Sequence, residues 1–184
     1  LGGLMLVSSH REFGGISGIR FMDNGNQFLA ITDEGKWIRA TLEREGSIPT
    51  GITNSRLGTL RKANGKKLKG KRNADAEGME VFGDNILIAL ERNHRVERFS
   101  WQNEKLRQVS GIQTIDLNGF ELENNHGPEA IAYSRETGEL FVFPEGNLVK
   151  DNLYRGFIIK DNEIAEVFLA RNAYYRPTDI VFRK

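Results

Sequence analysis

The sequence predicts an all-β fold, a β-propeller of four-stranded blades, on three observations. A short motif recurs along the chain, each recurrence opens an apolar strand that leads through a turn into a second one, and long helical periodicity is nowhere convincing. The motif is Ser17-Gly18-Ile19, Glu77-Gly78-Met79, Glu129-Ala130-Ile131 and Thr178-Asp179-Ile180, with starts 60, 52 and 49 residues apart. A repeat of about 50 residues made of four antiparallel strands is the signature of a propeller blade. A β-sandwich is the main rival, but it gives no reason for one local motif to return at near-constant spacing.

The elements follow in order within each repeat. After the opening strand come the turns DNGN (23–26), GDN (83–85) and RETGE (135–139), rich in residues that tolerate positive φ or cap a turn. The second strands are QFLAIT, ILIAL and LFVFP, short apolar runs with the β-branched and aromatic content of buried strands. Each is followed at once by an acid: Asp33, Glu91 and Glu145. Third strands read as KWIRATLE, HRVERFSW and YRGFIIKD, and weaker fourth strands as QVSGIQTIDL and EIAEVFLA. Three repeats and one opening strand cannot close a ring of about four to eight blades. Residues 1–184 are therefore expected to be a single partial propeller domain, broken after Lys184 within a fourth blade, with the remaining blades supplied by a longer parent chain or by a second chain.

With 39% apolar and 28% charged residues, 184 residues suffice for one soluble globular domain. No window reaches the roughly 18 to 20 apolar residues of a membrane span. The opening LGGLMLVSS lacks the basic region and the length of an intact signal peptide, which leaves room for a signal removed before Leu1. The absence of cysteine excludes disulfides, a thiolate nucleophile and cysteine-ligated zinc. A net charge of +1 conceals RKANGKKLKGKR (61–72), where seven of twelve residues are basic. No aromatic residue interleaves that run to offer a stacking platform, so it reads as a solvated interblade loop and nucleic acid is not an expected partner.

In an antiparallel hairpin, the start of the first strand and the end of the second lie side by side. Ser17 is thus paired with Asp33, Glu77 with Glu91 and Glu129 with Glu145. If first strands line the channel, radial repetition gathers Asp33, Glu77, Glu91, Glu129 and Glu145 at one mouth, with Asp75, a further candidate metal ligand, and Asp179 nearby. So many carboxylates repel one another unless cations neutralise them. A hard metal is the expected neutraliser, and calcium, which takes six to eight oxygens in flexible geometry, suits acids arriving from different strands. The bland alternative for any one acid is an ion pair with a neighbouring arginine. Lys71, Arg72 and Arg92 stand next to the acids and suit an anionic substrate, a phosphate above all. His94, able to exchange protons near neutrality, is the candidate for proton transfer together with Glu91, whereas His10 and His126 read as structural. Ser17 in GGISG does not meet the spacing of a nucleophile elbow, and there is no P-loop.

The segments FGGISGIRF, GKRNADAEGME, ALERNHRVERF, NHGPEAIAY and YRPTDIVF, in that order, resemble the domain family named for the esterase-like activity of phytase, from about Leu4 to the end of the chain. The most specific parts are the G-K-R-x-A-D-A-E-G and E-R-x-H-R segments. The resemblance implies a β-propeller found widely in bacteria, often in exported proteins, and hence a periplasmic or secreted location. It implies hydrolysis of phosphate esters or related esters, and an acidic channel mouth holding calcium as in the similar calcium-dependent propeller phytases. The positions that match are Asp75, Glu77, Glu91, Arg92, His94 and Glu129; Pro128 departs from the pattern, standing where an aliphatic residue is expected. The competing expectation is a non-catalytic propeller that binds a ligand or partner protein, with calcium at most structural.

Overall fold

The computed structural model describes residues 3–22, 25–111, 114–149, 152–172 and 175–182. Two residues of the DNGN turn, Asp23 and Asn24, lie outside them, as do Ile112, Gln113 and Lys184. Three antiparallel sheets follow one another along the chain. Blade 1 is β1 (Ile16–Met22), β2 (Gln27–Thr32), β3 (Lys36–Glu45) and β4 (Ile48–Thr59), in that spatial order. A single helical turn, α1 (Lys71–Ala74), leads into blade 2: β5 (Ala76–Phe82), β6 (Asn85–Leu90), β7 (Arg95–Gln102), β8 (Lys105–Gln108) and β9 (Ile115–Asp116). Blade 3 is β10 (Pro128–Tyr133), β11 (Leu140–Pro144), β12 (Leu148–Val149), β13 (Leu153–Lys160) and β14 (Glu163–Ala170). The chain is all-β and forms part of a propeller.

The second strands are continuous apolar runs because each is buried on both faces. In β6, Ile86, Ile88 and Leu90 join Leu29, Ile31 and Trp37 of blade 1, whereas Leu87 and Ala89 join Ile131, Val142 and Phe157 of blade 3. Strand alternation thus divides one run between two interblade cores. First strands pack side by side, β1 on β5 and β5 on β10, and form the inner wall. Contact there is close enough to require glycine at Gly78, where a Cβ would stand 2.0 Å from the Glu129 carbonyl oxygen.

Four departures from the sequence reading stand out. Blade 1 has a full fourth strand, β4, that the sequence does not announce: it faces solvent and carries Pro49, Gly51 and Gly58. In blade 2 the fourth strand is split, β8 pairing with the outer part of β7 and β9 with Arg95 and Val96 at its inner end. Thr178 opens no strand among the described residues; with no sheet neighbour to complete a ladder, the segment is tied to Arg20 of β1. The basic stretch is also more than a solvated loop. Leu60 and Leu68 are buried in the blade 1/blade 2 core, and Arg61 exchanges backbone hydrogen bonds with Leu106 and Gln108, while Lys62, Lys66, Lys67 and Lys69 are exposed.

Candidate functional site

All three blades present the same backbone at the channel mouth. The first strand slips register once, between Ile16 and Gly18, Ala76 and Gly78, and Pro128 and Ala130. A bulge of this kind inserts one unpaired residue and re-aims its side chain. The inserted residues are Ser17, Glu77 and Glu129. Each hairpin is then closed by one equivalent bond: Asp33 N–H donates to Gly15 O (3.0 Å), Glu91 N–H to Asp75 O (2.8 Å) and Glu145 N–H to Gly127 O (3.1 Å). Pro128 fits this frame because it lies opposite Pro144, at the first position of its strand, where no N–H is called upon.

Blade 2 fills the frame with acids. One carboxylate oxygen from each of Asp75, Glu77 and Glu91 lies within 4.8 Å of the others. Asp75 is 1% exposed and Glu91 7%, and Glu77 is partly buried. Burial, with the charge of Asp75 next, pushes the Glu77 carboxyl up to about 7. Two cations hold Asp75: Lys71 Nζ donates to Oδ1 (2.9 Å) and Arg92 Nε to Oδ2 (2.7 Å). Lys71 also reaches Asp33 Oδ2 (2.8 Å), bringing the blade 1 acid to the edge of the cluster. Arg92 sits at φ 63, a left-handed conformation that carries its backbone around the turn after Glu91.

Blade 3 completes the acidic wall. Burial, followed by the charges of Glu145, Glu77 and Glu91, raises the Glu129 carboxyl to about 8. Glu145 is paired with Arg176 (3.3 Å), which also approaches His126 Nε2 (3.5 Å), and His126 Nδ1 meets Glu123 (2.6 Å). Arg72 is exposed on α1. His94 is 4% exposed and lies behind Glu91: a Cβ on Gly127 would touch Glu91 Cγ and His94 Nδ1 together. Neither His94 ring nitrogen meets hydrogen-bond geometry among the described residues. Burial lowers its pKa, against the Glu91 charge and nearby backbone groups of Glu123 and Leu122.

An all-carboxylate donor set suits a hard, oxygen-seeking cation, and acids pushed toward neutrality by burial and by neighbouring carboxylates are what such a cation would relieve. The residues present therefore fit a hard cation, with Asp75, Glu77 and Glu91 as the closest set and Glu129 near enough to feel the charges of Glu77 and Glu91.

Farther down the channel the structure shows a network built on Arg20, which the sequence reading misses and which takes Asp179, expected near the acidic mouth, into an ion pair. Arg20 on β1 donates to both oxygens of Asp179 (3.0 and 2.6 Å), to Glu80 (3.4 Å), and to the carbonyls of Ile131 and Ile180. Burial raises the Glu80 carboxyl despite Arg20. Arg20 and Glu80 stand three residues after Ser17 and Glu77, so the repeat alignment carries the signal: a charge at the same inward position in two blades.

A sequence model of the family described as phytase-like, esterase-like activity of phytase, matches residues 11–177. No curated protein matches the chain significantly. Among solved structures, the chain is similar to U3-55K (11% identity, TM-score 0.51, 96% of this chain and 45% of that one) and to the RRP9 WD40 repeats (10%, 0.50, 96% and 44%). A putative 6-phosphogluconolactonase from Bacteroides uniformis is also similar (18%, 0.45, 89% and 41%). The chain spans less than half the length of these structures. Among the described residues, no helix is long and apolar enough to cross a membrane.

Proposed function

This chain belongs to the phytase-like family described by esterase-like activity of phytase, and we propose that its channel mouth is the calcium-dependent centre of a hydrolase of phosphate esters or related esters. The observation that carries this reading is the convergence of Asp75, Glu77 and Glu91 within 4.8 Å, on a rim where Lys71 and Arg92 both go to Asp75. Asp75, Glu77 and Glu91 would hold the metal, with Asp33 and Glu145 shaping the negative potential around it. When bound, calcium supplies charge to polarise an ester oxygen and to acidify a water. Among the described residues Arg92 binds Asp75 through Nε, and its two terminal nitrogens can grip a phosphate side by side; Lys71 and Arg72 add charge at the same rim. Glu129, with a pKa near 8, carries a proton at neutral pH and can deliver it from its carboxyl oxygen to a leaving group. His94 is buried and neutral at pH 7, and acts in this reading by backing Glu91. An open acidic calcium site of this kind suits the calcium-rich conditions outside the cytoplasm, in keeping with a periplasmic or secreted protein.

Thermal unfolding with calcium or with EDTA, beside phosphate release from an aryl phosphate, tests the proposal. Calcium at about 100 times its Kd contributes about 2.7 kcal/mol, or about 5 to 10 °C in Tm for a chain of this size. Glu77→Gln and Glu91→Gln should remove both that shift and turnover while the protein stays folded. A calcium shift without hydrolysis points instead to a binding propeller with structural calcium. No shift and no hydrolysis would mean that Lys71, Arg92 and Arg176 alone balance the acids.

A further inference from the structure

Arg95 and Glu97, both on β7 and both 7% exposed, form a buried ion pair that the chemistry above leaves unused. Arg95 Nε donates to Glu97 Oε1 at 2.6 Å. The two terminal nitrogens then diverge: one donates to the carbonyl of Asn73 (3.0 Å), the other to the carbonyl of Asn93 (2.9 Å). Asn73 lies two residues before Asp75, and Asn93 two residues after Glu91. One guanidinium thus joins the loop that delivers Asp75 to the loop that delivers Glu91, beside the direct bond from Glu91 N–H to Asp75 O. Asn118 supports the second loop, donating to Asn93 Oδ1 (3.2 Å) and accepting from His94 N–H (3.1 Å).

Burying an ion pair is costly, and removing both partners for apolar ones is often neutral or stabilising. Such a pair is worth its place where a fixed geometry is needed, and a planar guanidinium with five donors in a rigid fork holds its acceptors in fixed directions, which a rotating ammonium does not. Blade 1 supplies the contrast. Lys36 opens β3 as Arg95 opens β7, but its ammonium pairs with Glu12, and among the described residues the acid beside it, Asp33, belongs to no tight acidic cluster. We infer that Arg95 is a positioning residue of the acidic centre, holding the Asp75 and Glu91 loops at cation-binding separation, with Glu97 fixing the orientation of its guanidinium. This rests on the calcium reading above.

The test compares Arg95→Lys, Glu97→Gln and the control Arg98→Lys in the intact protein. Arg98 lies on the same strand, but its guanidinium goes to Asn85 (2.6 Å) at the other end of the blade. Calcium affinity is measured by calorimetry on folded protein, and hydrogen exchange is followed at the Glu91 amide. Loss of an outer partner typically weakens metal binding by about 10 to 100-fold, and that is the expectation for Arg95→Lys, together with about tenfold faster exchange at Glu91. Glu97→Gln should move both in the same direction by less, and it decides the matter if Arg95→Lys does not fold. Arg98→Lys should move neither. Unchanged affinity and exchange in the Arg95 and Glu97 variants, or equal losses in Arg98→Lys, would overturn the inference. If the unaltered protein takes up no calcium, the metal reading falls, and exchange at Glu91 alone judges the positioning role.

Discussion

In blade 1 the residue inserted by the bulge at the channel mouth is Ser17 and the residue before the strand is Gly15; in blade 2 those places hold Glu77 and Asp75. The backbone around them is the same, down to the bond that closes each hairpin. Asp33, the one acid that blade 1 contributes, is partly exposed and shares Lys71 with Asp75. Blade 2 instead buries two carboxylates and pushes a third toward neutrality. The bulge and the closing bond are therefore properties of the blade, present whether or not there is chemistry to perform. What distinguishes blade 2 is the side chains loaded on that frame and the buried arginine behind them.

The largest effect should come from breaking the frame itself. A Cβ at Gly78 would meet the Glu129 carbonyl oxygen at 2.0 Å, and backbone cannot move aside as a side-chain tip can; at Gly18 the nearest atoms are Ile31 Cγ1 at 3.3 Å and Glu77 O at 3.4 Å. Gly78→Ala should cost about 3 kcal/mol in urea unfolding, and Gly18→Ala less than about 1 kcal/mol. Equal losses would mean that the two interblade contacts are not as different as the geometry makes them.

How much of this was legible follows from where the signals lie. The buried second strands and the acids after them are local features, so QFLAIT-D, ILIAL-E and LFVFP-E announce both the hairpins and half of the acidic rim. β4 is hidden because an outer strand facing solvent needs no apolar run, and its Gly58 is there to lie against the Trp37 indole, a contact made across the sheet. Arg20 and Asp179 are 159 residues apart, and no local pattern reports such a pair. The fate of Lys71 and Arg92 was half legible. Their nearness to the acids is in the sequence, but their capture by Asp75 depends on a helical turn and on the left-handed Arg92.

A second, smaller effect separates the blades by pH. Glu77 and Glu129 have folded-state pKa values of about 7 and about 8, above the unfolded carboxylate value, so the folded state binds protons that the unfolded state has released. Their contribution favours folding below pH 4.5 and is lost progressively as pH rises through 7 and 8. In EDTA, Tm should therefore fall between pH 5 and pH 8, and calcium should flatten the part of the decline that belongs to Glu77 by holding that ligand ionised. Ser17→Ala removes the blade 1 hydroxyl whose hydrogen bond holds the Glu77 carboxyl down, and should steepen the decline slightly. A Glu77→Gln, Glu129→Gln double variant that keeps the full slope would place the titrating groups elsewhere.

The smallest effect concerns the one ion bridge that connects the blade 1 acid to the blade 2 cluster among the described residues. Lys71 is about half exposed, and exposed ion pairs contribute little, so Lys71→Met should change stability by less than about 1 kcal/mol. Asp75 keeps Arg92 and is not left as an unpaired buried charge. Calcium affinity should nonetheless rise by about two to threefold, because an ammonium 2.9 Å from Asp75 Oδ1 repels an incoming cation and competes for the same oxygen. Affinity that falls instead would assign Lys71 to holding Asp75 in place. In that case the blade 1 acid would act through Lys71 on the geometry of the centre, and the contrast between the two blades would be one of support as well as charge.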